Sequence, residues 1–418
     1  MALETVKARA LRALAFVRAN QVTLRRIAMG VAVLGLLVFG PHAWWLQLPY
    51  RRLEVVVVDK SIPFPKYREH QNLHWLLHAW KVIDHRNTFI EPTRDYRGFD
   101  PFQKRGHDLV AADLEHAAAV FIADTYGVYV GDYLRPGEVA ALERSPKIYG
   151  GLTSSEAASL INFARRGGLV IGEFNTFASP TPDGVRAEME RLFGARWTKW
   201  VARYWPDVRD ENEVPPWIGR VYERVYQRPF DLEGAALIFV RDDVDMVVLQ
   251  PEVHLEPEVL LLERTGGAPE LEGLPDTGEY RFWLDVVEAR EEDVLYQYRV
   301  ATNPDGAVLL RQHGLGTRFP AVIRHRAAGM PGHAWYFAGD FIDTAIELGD
   351  PERAWLLPWR RYVRRGTPEE RFFWGWYTPV LDQVLFGEAR GQRSKEAATA
   401  QRSSSSSRSP TSGGGASP

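Results

Sequence analysis

Residues 53–58 read LEVVVV, and a continuous run of β-branched residues of this kind is typical of a strand buried on both faces of a sheet. Two similar runs follow, AAVFIA at 118–123 and LVIG at 169–172. Segments with helical spacing of apolar residues lie between them, at 69–83 and 153–166. This alternation of strand and helix predicts an α/β fold with a doubly wound, mostly parallel sheet.

Helix boundaries in this part of the chain carry recognisable signals. Thr153 and Glu156 form the pattern of a capping box, and Gly167 and Gly168 predict the end of the helix. A further helix is predicted to begin at Thr181-Pro182, with proline in the first turn, and to end at Gly194.

After about residue 230 the pattern changes to short strands with Gly, Pro and Asp turns, including a predicted turn at Asn303-Pro304-Asp305-Gly306. Two aromatic helices are predicted at 351–365 and 368–386. The chain is therefore divided into six parts. They are a basic cytoplasmic segment (1–26), a transmembrane helix (27–48), an α/β core (51–230), a β-rich region whose last strands return to the core (231–345), aromatic helices (346–386) and a disordered tail rich in Ser and Gly (387–418).

Residues 27–48 contain 22 residues without Asp, Glu, Lys or Arg, enough to cross a hydrocarbon core of ~30 Å. Basic residues precede this segment, and Trp44, Trp45 and Tyr50 lie at its far end. The positive-inside rule then predicts a single-pass protein with its N-terminus in the cytoplasm and its body outside. A cleaved signal peptide is the alternative, but no clean A-x-A site follows the apolar run.

Charge and composition exclude several functions. The 418 residues have a net charge of −3, yet residues 1–26 carry +5 and residues 387–418 carry +3, which leaves −11 on residues 27–386. An acidic body argues against nucleic-acid binding. The absence of cysteine excludes disulfides, thiolate nucleophiles and zinc-thiolate sites.

Four segments together resemble the class I glutamine amidotransferase-like (flavodoxin-like) superfamily. They are the first strand ending at Asp59, the stretch AVFIADTYG, the stretch LVIGEFN after a helix that ends in Gly-Gly, and the late pair PAVIRHR and GHAWYFAGD. The resemblance is to members found in bacterial envelopes, which implies a bacterial inner membrane as the location. Working members use a cysteine that this chain lacks, so amidotransferase activity is excluded and only the scaffold is implied.

Candidate site residues are predicted at the strand ends, because ligands of open α/β sheets bind beyond the carboxyl ends of the strands. Asp59 and Lys60 follow the first strand, Asp124 follows the second, and Glu173 follows the third. The predicted ligand-binding residues are Lys60, Arg68, Glu69, His70, Tyr126, Tyr129, Tyr149, Asn175 and Thr176. The alternative interpretation is that polar strand ends are simply solvated or joined in salt bridges.

Glu173 is the strongest candidate for a general acid or base, because it directly follows an apolar strand and burial would raise the pKa of its carboxyl. Asp59 or Asp124 would be the second carboxylate of a hydrolytic pair. Without distances, a salt-bridged cluster explains the same residues equally well.

Other motifs favour structural roles. His70, His74 and His78 share a helix face but do not converge on a metal, so neither a metal nor a cofactor is predicted. Residues 241–245 read as a charged turn. Trp197 and Trp200 are predicted to lie in the core, whereas Tyr204 and Trp205 are predicted to be exposed.

The sequence thus predicts a membrane-anchored, extracytoplasmic domain that binds a polar small molecule or a glycan at the strand ends. A carboxylate-dependent hydrolase is the first alternative, and a structural component of an envelope complex with protein partners is the second.

Overall fold

A computed structural model describes residues 20–134, 145–242, 244–266, 271–344, 346–363 and 366–387. Most of the predicted basic segment, all of the tail after residue 387 and position 243 of the charged turn lie outside these residues.

The strands are β1 (Arg51–Arg52), β2 (Val55–Asp59), β3 (Val82–Ile83), β4 (Tyr96–Asp100), β5 (Arg105–His107), β6 (Ala119–Asp124), β7 (Val128–Tyr129), β8 (Lys147–Tyr149), β9 (Leu169–Gly172), β10 (Ala195–Trp205), β11 (Ala236–Arg241), β12 (Asp245–Leu249), β13 (Leu255–Arg264), β14 (Thr277–Glu279), β15 (Leu284–Ala289), β16 (Val294–Thr302), β17 (Arg318–His325) and β18 (Ala334–Phe337).

A ten-stranded mixed sheet forms the centre of the fold, with the order β14-β13-β16-β17-β18-β9-β6-β2-β4-β5. Its parallel part is β18-β9-β6-β2-β4. Counted among themselves, these five strands have the order 2-1-3-4-5 of doubly wound folds, and the switch point lies between β2 and β6. The prediction of a mostly parallel sheet is wrong for the whole, because β5, β14, β13, β16 and β17 join the sheet in antiparallel pairings.

A separate four-stranded antiparallel sheet has the order β12-β11-β10-β15. It corrects the predicted exposure of Tyr204 and Trp205, which are 8% and 0% exposed, because β10 is a central strand whose far end is covered by other elements. The indole Nε1 of Trp205 donates to the carbonyl of Glu213 at 3.1 Å. Trp197 and Trp200 are buried, as predicted. Strand β10 lies before residue 230 and pairs with β11 and β15 after it, so this small sheet unites parts on both sides of the predicted division.

The helices are α1 (Gln21–Gln47), α2 (Arg68–Ala79), α3 (Ser154–Arg165), α4 (Asp183–Phe193), α5 (Pro216–Tyr226), α6 (Pro304–Gln312), α7 (Leu357–Val363) and α8 (Pro368–Phe372). Short 3-10 helices lie at Ala111–Leu114, Val130–Tyr133, Glu291–Asp293 and Pro351–Leu356. A π-helical turn at Phe373–Tyr377 follows α8, and the chain stays helical to residue 387. The predicted helix at 351–365 is thus a 3-10 turn followed by α7.

Helix α3 begins with the predicted capping box, in which Thr153 and Glu156 bond to each other's backbone amides. Helix α4 ends at Gly194, which has φ 64°, as predicted. The turn predicted at Asn303 to Gly306 is wrong. The Asn303 side chain accepts from the Gly306 amide at 2.9 Å, and this bond caps the start of α6. Asn-Pro-Asp-Gly suits both a turn and a helix N-terminus, and the following apolar residues decide for the helix.

Helix α1 is the one helix in the described parts of the chain that is long and apolar enough to cross a membrane, and a signal sequence would meet the same criterion. Its C-terminal end is attached to the body. The Trp45 indole donates to the carbonyl of Ala79 at 3.2 Å, and the Lys81 Nζ donates to the carbonyls of Leu46 and Leu48 at 3.1 and 2.8 Å.

Candidate functional site

The switch point of the sheet brings together two of the predicted carboxylates. Asp59 and Asp124 end the neighbouring strands β2 and β6 and are partners in their register. Asp124 Oδ1 accepts from the Ser61 hydroxyl at 2.7 Å, and its Oδ2 accepts from the Asn175 amide at 3.2 Å. The strand-end rule therefore places Asp59, Asp124 and Asn175 next to one another.

His70 connects Asp59 to the loop before β4. Its Nδ1 lies 2.7 Å from Asp59 Oδ2, and its Nε2 lies 2.9 Å from the carbonyl oxygen of Pro92. Because a carbonyl only accepts, Nε2 carries a hydrogen, and the short contact at Nδ1 requires a second hydrogen between the ring and the carboxyl. The Asp59–His70 pair is therefore neutral as a unit.

Three further carboxylates meet beside this pair. One oxygen each of Glu69, Asp340 and Asp343 lies within 4.8 Å of the others. Arg68 donates from Nε to Asp343 Oδ1 at 3.0 Å. Together with Asp59 and Asp124 we call these residues the acidic cluster (Asp59, Glu69, Asp124, Asp340 and Asp343). Glu69 is half-buried and the other four are buried, so the cluster reaches solvent at Glu69 and at the exposed Arg68.

Burial and mutual repulsion both act on the acidic cluster. Burial raises the pKa of Glu69, Asp340 and Asp343 well above the usual range, and neighbouring carboxylates raise it further. Burial also raises the pKa of Asp124 to about 6, although its hydrogen bonds favour the charged form. The raised pKa values favour the protonated carboxyls, which donate a hydrogen bond as well as accepting one.

Asp340 and Asp343 were missed by the sequence analysis. They lie in the loop after β18, in the stretch AGDFID, and obey the same strand-end rule that selected Asp59 and Asp124.

Glu173 lies beneath this loop and is fully buried. Its Oε2 accepts from the amides of Phe341 and Ile342 at 3.2 and 3.0 Å, and its Oε1 accepts from the Tyr377 hydroxyl at 2.5 Å. Burial raises the pKa of Glu173 to about 8, against the effect of these hydrogen bonds. The contacts give Glu173 the geometry of a positioning residue that holds the loop carrying Asp340 and Asp343.

Lys60 and Tyr149 belong to a second group of charges, which we call the lysine cluster (Lys60, Asp108, Tyr149 and Glu156). The Lys60 Nζ lies 2.6 Å from Glu156 Oε2 and 3.1 Å from Asp108 Oδ1, and the Tyr149 hydroxyl donates to the same Asp108 oxygen at 2.5 Å. Lys60 and Glu156 are completely buried. These contacts occupy Lys60 and Tyr149 away from the acidic cluster.

The remaining predicted residues divide between surface and interior. Tyr126 is 47% exposed beside Asp124, and its ring packs on that of Tyr129 with centroids 4.8 Å apart. Thr176 is buried, and its hydroxyl donates to the carbonyl of Glu173 at 2.6 Å. The two tyrosines thus form a pair of rings tilted by 37° next to Asp124, whereas Thr176 supports the loop after β9.

Among the described residues, the one group of three or more potential metal ligands that lie close together is Glu69, Asp340 and Asp343. An all-oxygen set of this kind suits a hard divalent cation. His70, His74 and His78 do not form such a group. His70 contacts Asp59, and His74 Nδ1 lies 3.0 Å from the backbone oxygen of His70.

Comparison with known proteins gives little guidance. No protein-family model and no curated protein matches the chain. Among solved structures, it is similar to a thua-like protein from Bacteroides uniformis, with 11% identity over 77% of this chain and 96% of the other, at a TM-score of 0.34. A cytoplasmic protein from Salmonella typhimurium shows 11% identity over 79% and 99%, at a TM-score of 0.35.

A β-galactosidase from Bacillus circulans is similar at 10% identity and a TM-score of 0.32. The match covers 70% of this chain and only 30% of the enzyme. At these scores the likenesses carry no argument about function. The relation to the amidotransferase-like superfamily therefore stays a prediction. The doubly wound order of the parallel strands is a separate finding, made on the sheet itself.

Proposed function

We propose that the protein binds a hydroxyl-rich ligand, a glycan or another polar small molecule, at the acidic cluster. The observation that carries this proposal is the surplus of carboxyl groups at the switch point. Glu69, Asp124, Asp340 and Asp343 are opposed by one ion-paired arginine, Arg68, among the described residues. Uncompensated buried carboxyls are costly, and clusters of this kind with shifted pKa values concentrate at functional sites.

The chemistry of the cluster fits sugar hydroxyls. Ionised carboxylates accept hydrogen bonds from hydroxyl groups, and protonated carboxyls donate to them. The exposed ring of Tyr126 lies beside Asp124, where it offers an apolar surface for the face of a sugar ring. Arg68 at the edge of the cluster supplies a donor to hydroxyl or anionic groups.

We also propose that α1 anchors the protein in a bacterial inner membrane, with the body on the extracytoplasmic side. The basic residues before the helix and the aromatic residues at its far end support this orientation. Protein partners in the envelope remain a further proposal.

Binding is tested on a glycan array with the full chain in detergent micelles. We expect the wild-type protein to retain a defined set of glycans and Asp340→Asn or Tyr126→Ala to lose them. Asp305→Asn, an exposed aspartate of α6, is the matched control and keeps binding. Retention that is equal in all four proteins contradicts the assignment of the site.

Hydrolysis is the second candidate, and the closeness of two carboxyls favours it. One oxygen each of Glu69 and Asp340 lie no more than 4.8 Å apart, and retaining glycosidases also use two carboxyls placed close together. This pair replaces the predicted pairing of Glu173 with Asp59 or Asp124, because Glu173 is enclosed by Tyr377 and the loop. Turnover of chromogenic glycosides that is lost in Asp340→Asn and kept in Asp305→Asn would establish an enzyme.

A further inference from the structure

A cavity of about 1160 Å³ lies where α1 joins the body. Its lining includes Tyr50 and strand β1 on one side and Asn87, Phe89 and Arg94 on the other. Strand β1 begins four residues after the last residue of α1. The cavity therefore opens next to the end of the helix that is long enough to span a membrane. None of the residues that line it belongs to the acidic cluster.

The lining of this cavity is basic. It contains Arg51, Arg52 and Arg94, against Glu91 as the one carboxylate of the lining. Arg94 is already paired with its neighbour Asp95 at 2.6 Å. The exposed Arg52 donates to the side-chain oxygen of Asn87 at 2.7 Å, a neutral partner that leaves its charge uncompensated. Arg51 lies 3.0 Å from Asp382 with its side chain 39% exposed.

Lys81 fixes the position of the cavity along the axis of α1. This buried lysine donates to the carbonyls of Leu46 and Leu48 at the end of the helix. Its Nζ also lies over the rings of Trp45 and Tyr50, at 4.9 and 4.3 Å from their centroids. A cation at a helix C-terminus stabilises the helix dipole, and the two rings add cation–π attraction. The arginines are thereby held at the level where an α1 in a bilayer meets the headgroups.

We propose that this cavity binds the headgroup of an anionic phospholipid. Arg52 contacts the phosphate, Asn87 and Thr88 offer polar groups at the cavity wall, and Tyr50 and Phe89 face the glycerol and upper acyl region. Arginine suits this task because its planar fork bonds phosphate oxygens in pairs. The occupant is a lipid rather than free phosphate, because the arginines share the cavity with aromatic rings at the end of an apolar helix.

Native mass spectrometry of the full chain in detergent tests the proposal, with phosphatidylglycerol, phosphatidylcholine or inorganic phosphate added. We expect one phosphatidylglycerol per chain to be retained. The apparent dissociation constant should rise about fivefold in Arg52→Gln, since a basic residue near an anionic lipid surface contributes roughly that factor. Arg311→Gln, an exposed arginine of α6, is the matched control and leaves retention unchanged.

Three outcomes overturn the proposal. Equal retention of phosphatidylcholine would mean that the cavity does not discriminate between anionic and zwitterionic headgroups. Displacement of the lipid by inorganic phosphate at a similar concentration would mean a site for free phosphate. Equal loss in Arg311→Gln would mean a non-specific effect of net charge. None of these results bears on ligand binding at the acidic cluster, so the two proposals fail separately.

Discussion

The lysine cluster and the acidic cluster lie at the same end of the same sheet, and their charges are balanced in opposite ways. In the lysine cluster the buried Lys60 has two carboxylate partners, at 2.6 and 3.1 Å. Glu156 there also accepts from the Leu109 and Thr153 amides. In the acidic cluster, Asp340 has no hydrogen-bond partner for its carboxyl among the described residues, and Arg68 pairs with Asp343 alone.

This difference distinguishes a group of charges with a structural role from a group of charges with a candidate functional role. A buried ion pair whose hydrogen bonds are all satisfied is a component of the fold, and removing one partner leaves an isolated charge. A group of carboxyls that repel one another makes the fold less stable, and such groups are retained where they serve a ligand or a reaction. The following variants test whether the two clusters respond in opposite directions.

The largest effect is expected for Lys60→Met. Losing the buried cation leaves the Glu156 carboxylate unpaired in the interior, which costs about 3–5 kcal/mol of unfolding free energy. Denaturant unfolding of the full chain in detergent measures the loss. The double variant Lys60→Met/Glu156→Gln should recover part of it, and a single-variant loss below about 1 kcal/mol would show that the pair is not structural.

Glu173→Gln should change stability to an extent that depends on pH. The pKa of Glu173 is raised to about 8 in the folded protein, so the stability it contributes is present at low pH and is lost as pH rises from its unfolded pKa through about 8. At pH 5 the variant should be about as stable as wild type, because an amide, like a protonated carboxyl, offers one oxygen to the Phe341 and Ile342 amides and one donor to the Tyr377 oxygen.

By pH 9 Glu173→Gln should be more stable than wild type, because wild type has lost the stability of the protonated carboxyl and the variant cannot ionise. Melting temperatures of both proteins across this range provide the measurement. A constant difference from pH 5 to pH 9 would show that the Glu173 carboxyl does not titrate in this window.

Asp340→Asn should have a smaller effect of the opposite sign to Lys60→Met. Burial and neighbouring carboxylates raise the pKa of Asp340, so above that pKa its charge destabilises the folded protein. The neutral amide should stabilise the protein by about 1 kcal/mol at pH 8, while ligand binding is lost. Unfolding midpoints at pH 8, with Asp305→Asn as control, decide the matter. A clear destabilisation would place Asp340 among the structural residues.

The smallest effect is expected for Arg68→Gln. The Arg68 side chain is 57% exposed, so its pair with Asp343 contributes at most about 1 kcal/mol. The loss should be larger at pH 8 than at pH 5, because the Arg68 cation stabilises the ionised form of Asp343, whose share grows as pH rises. Melting temperatures of wild type and Arg68→Gln at the two pH values give the comparison, and a loss independent of pH would contradict the ion pair as its cause.

The parallel strands could be predicted from the sequence because each is an apolar run buried on both faces, as at residues 53–58, 118–123 and 169–172. The antiparallel half could not, since β16 and β17 have the same local pattern whichever direction their neighbours take. The exposure of Trp205 was also misjudged, because burial at the end of β10 depends on elements distant in sequence.

The strand-end rule placed Asp59, Asp124 and Asn175 together because the carboxyl ends of neighbouring parallel strands share one edge. It could not distinguish them from Lys60, whose long side chain turns to Glu156, 96 positions along the chain. Nor could it show that Glu173 points inward, because that depends on Tyr377.

The bond between Glu173 and Tyr377 joins residues 204 positions apart, and this separation sets an order of events during synthesis. Strands β2, β6 and β9 leave the ribosome long before the final helix, so the loop that carries Asp340 and Asp343 emerges before its last support is made. A nascent chain that ends before residue 377 therefore contains every carboxyl of the acidic cluster and the Glu173 that bonds their loop, but it lacks the Tyr377 hydroxyl that donates to Glu173.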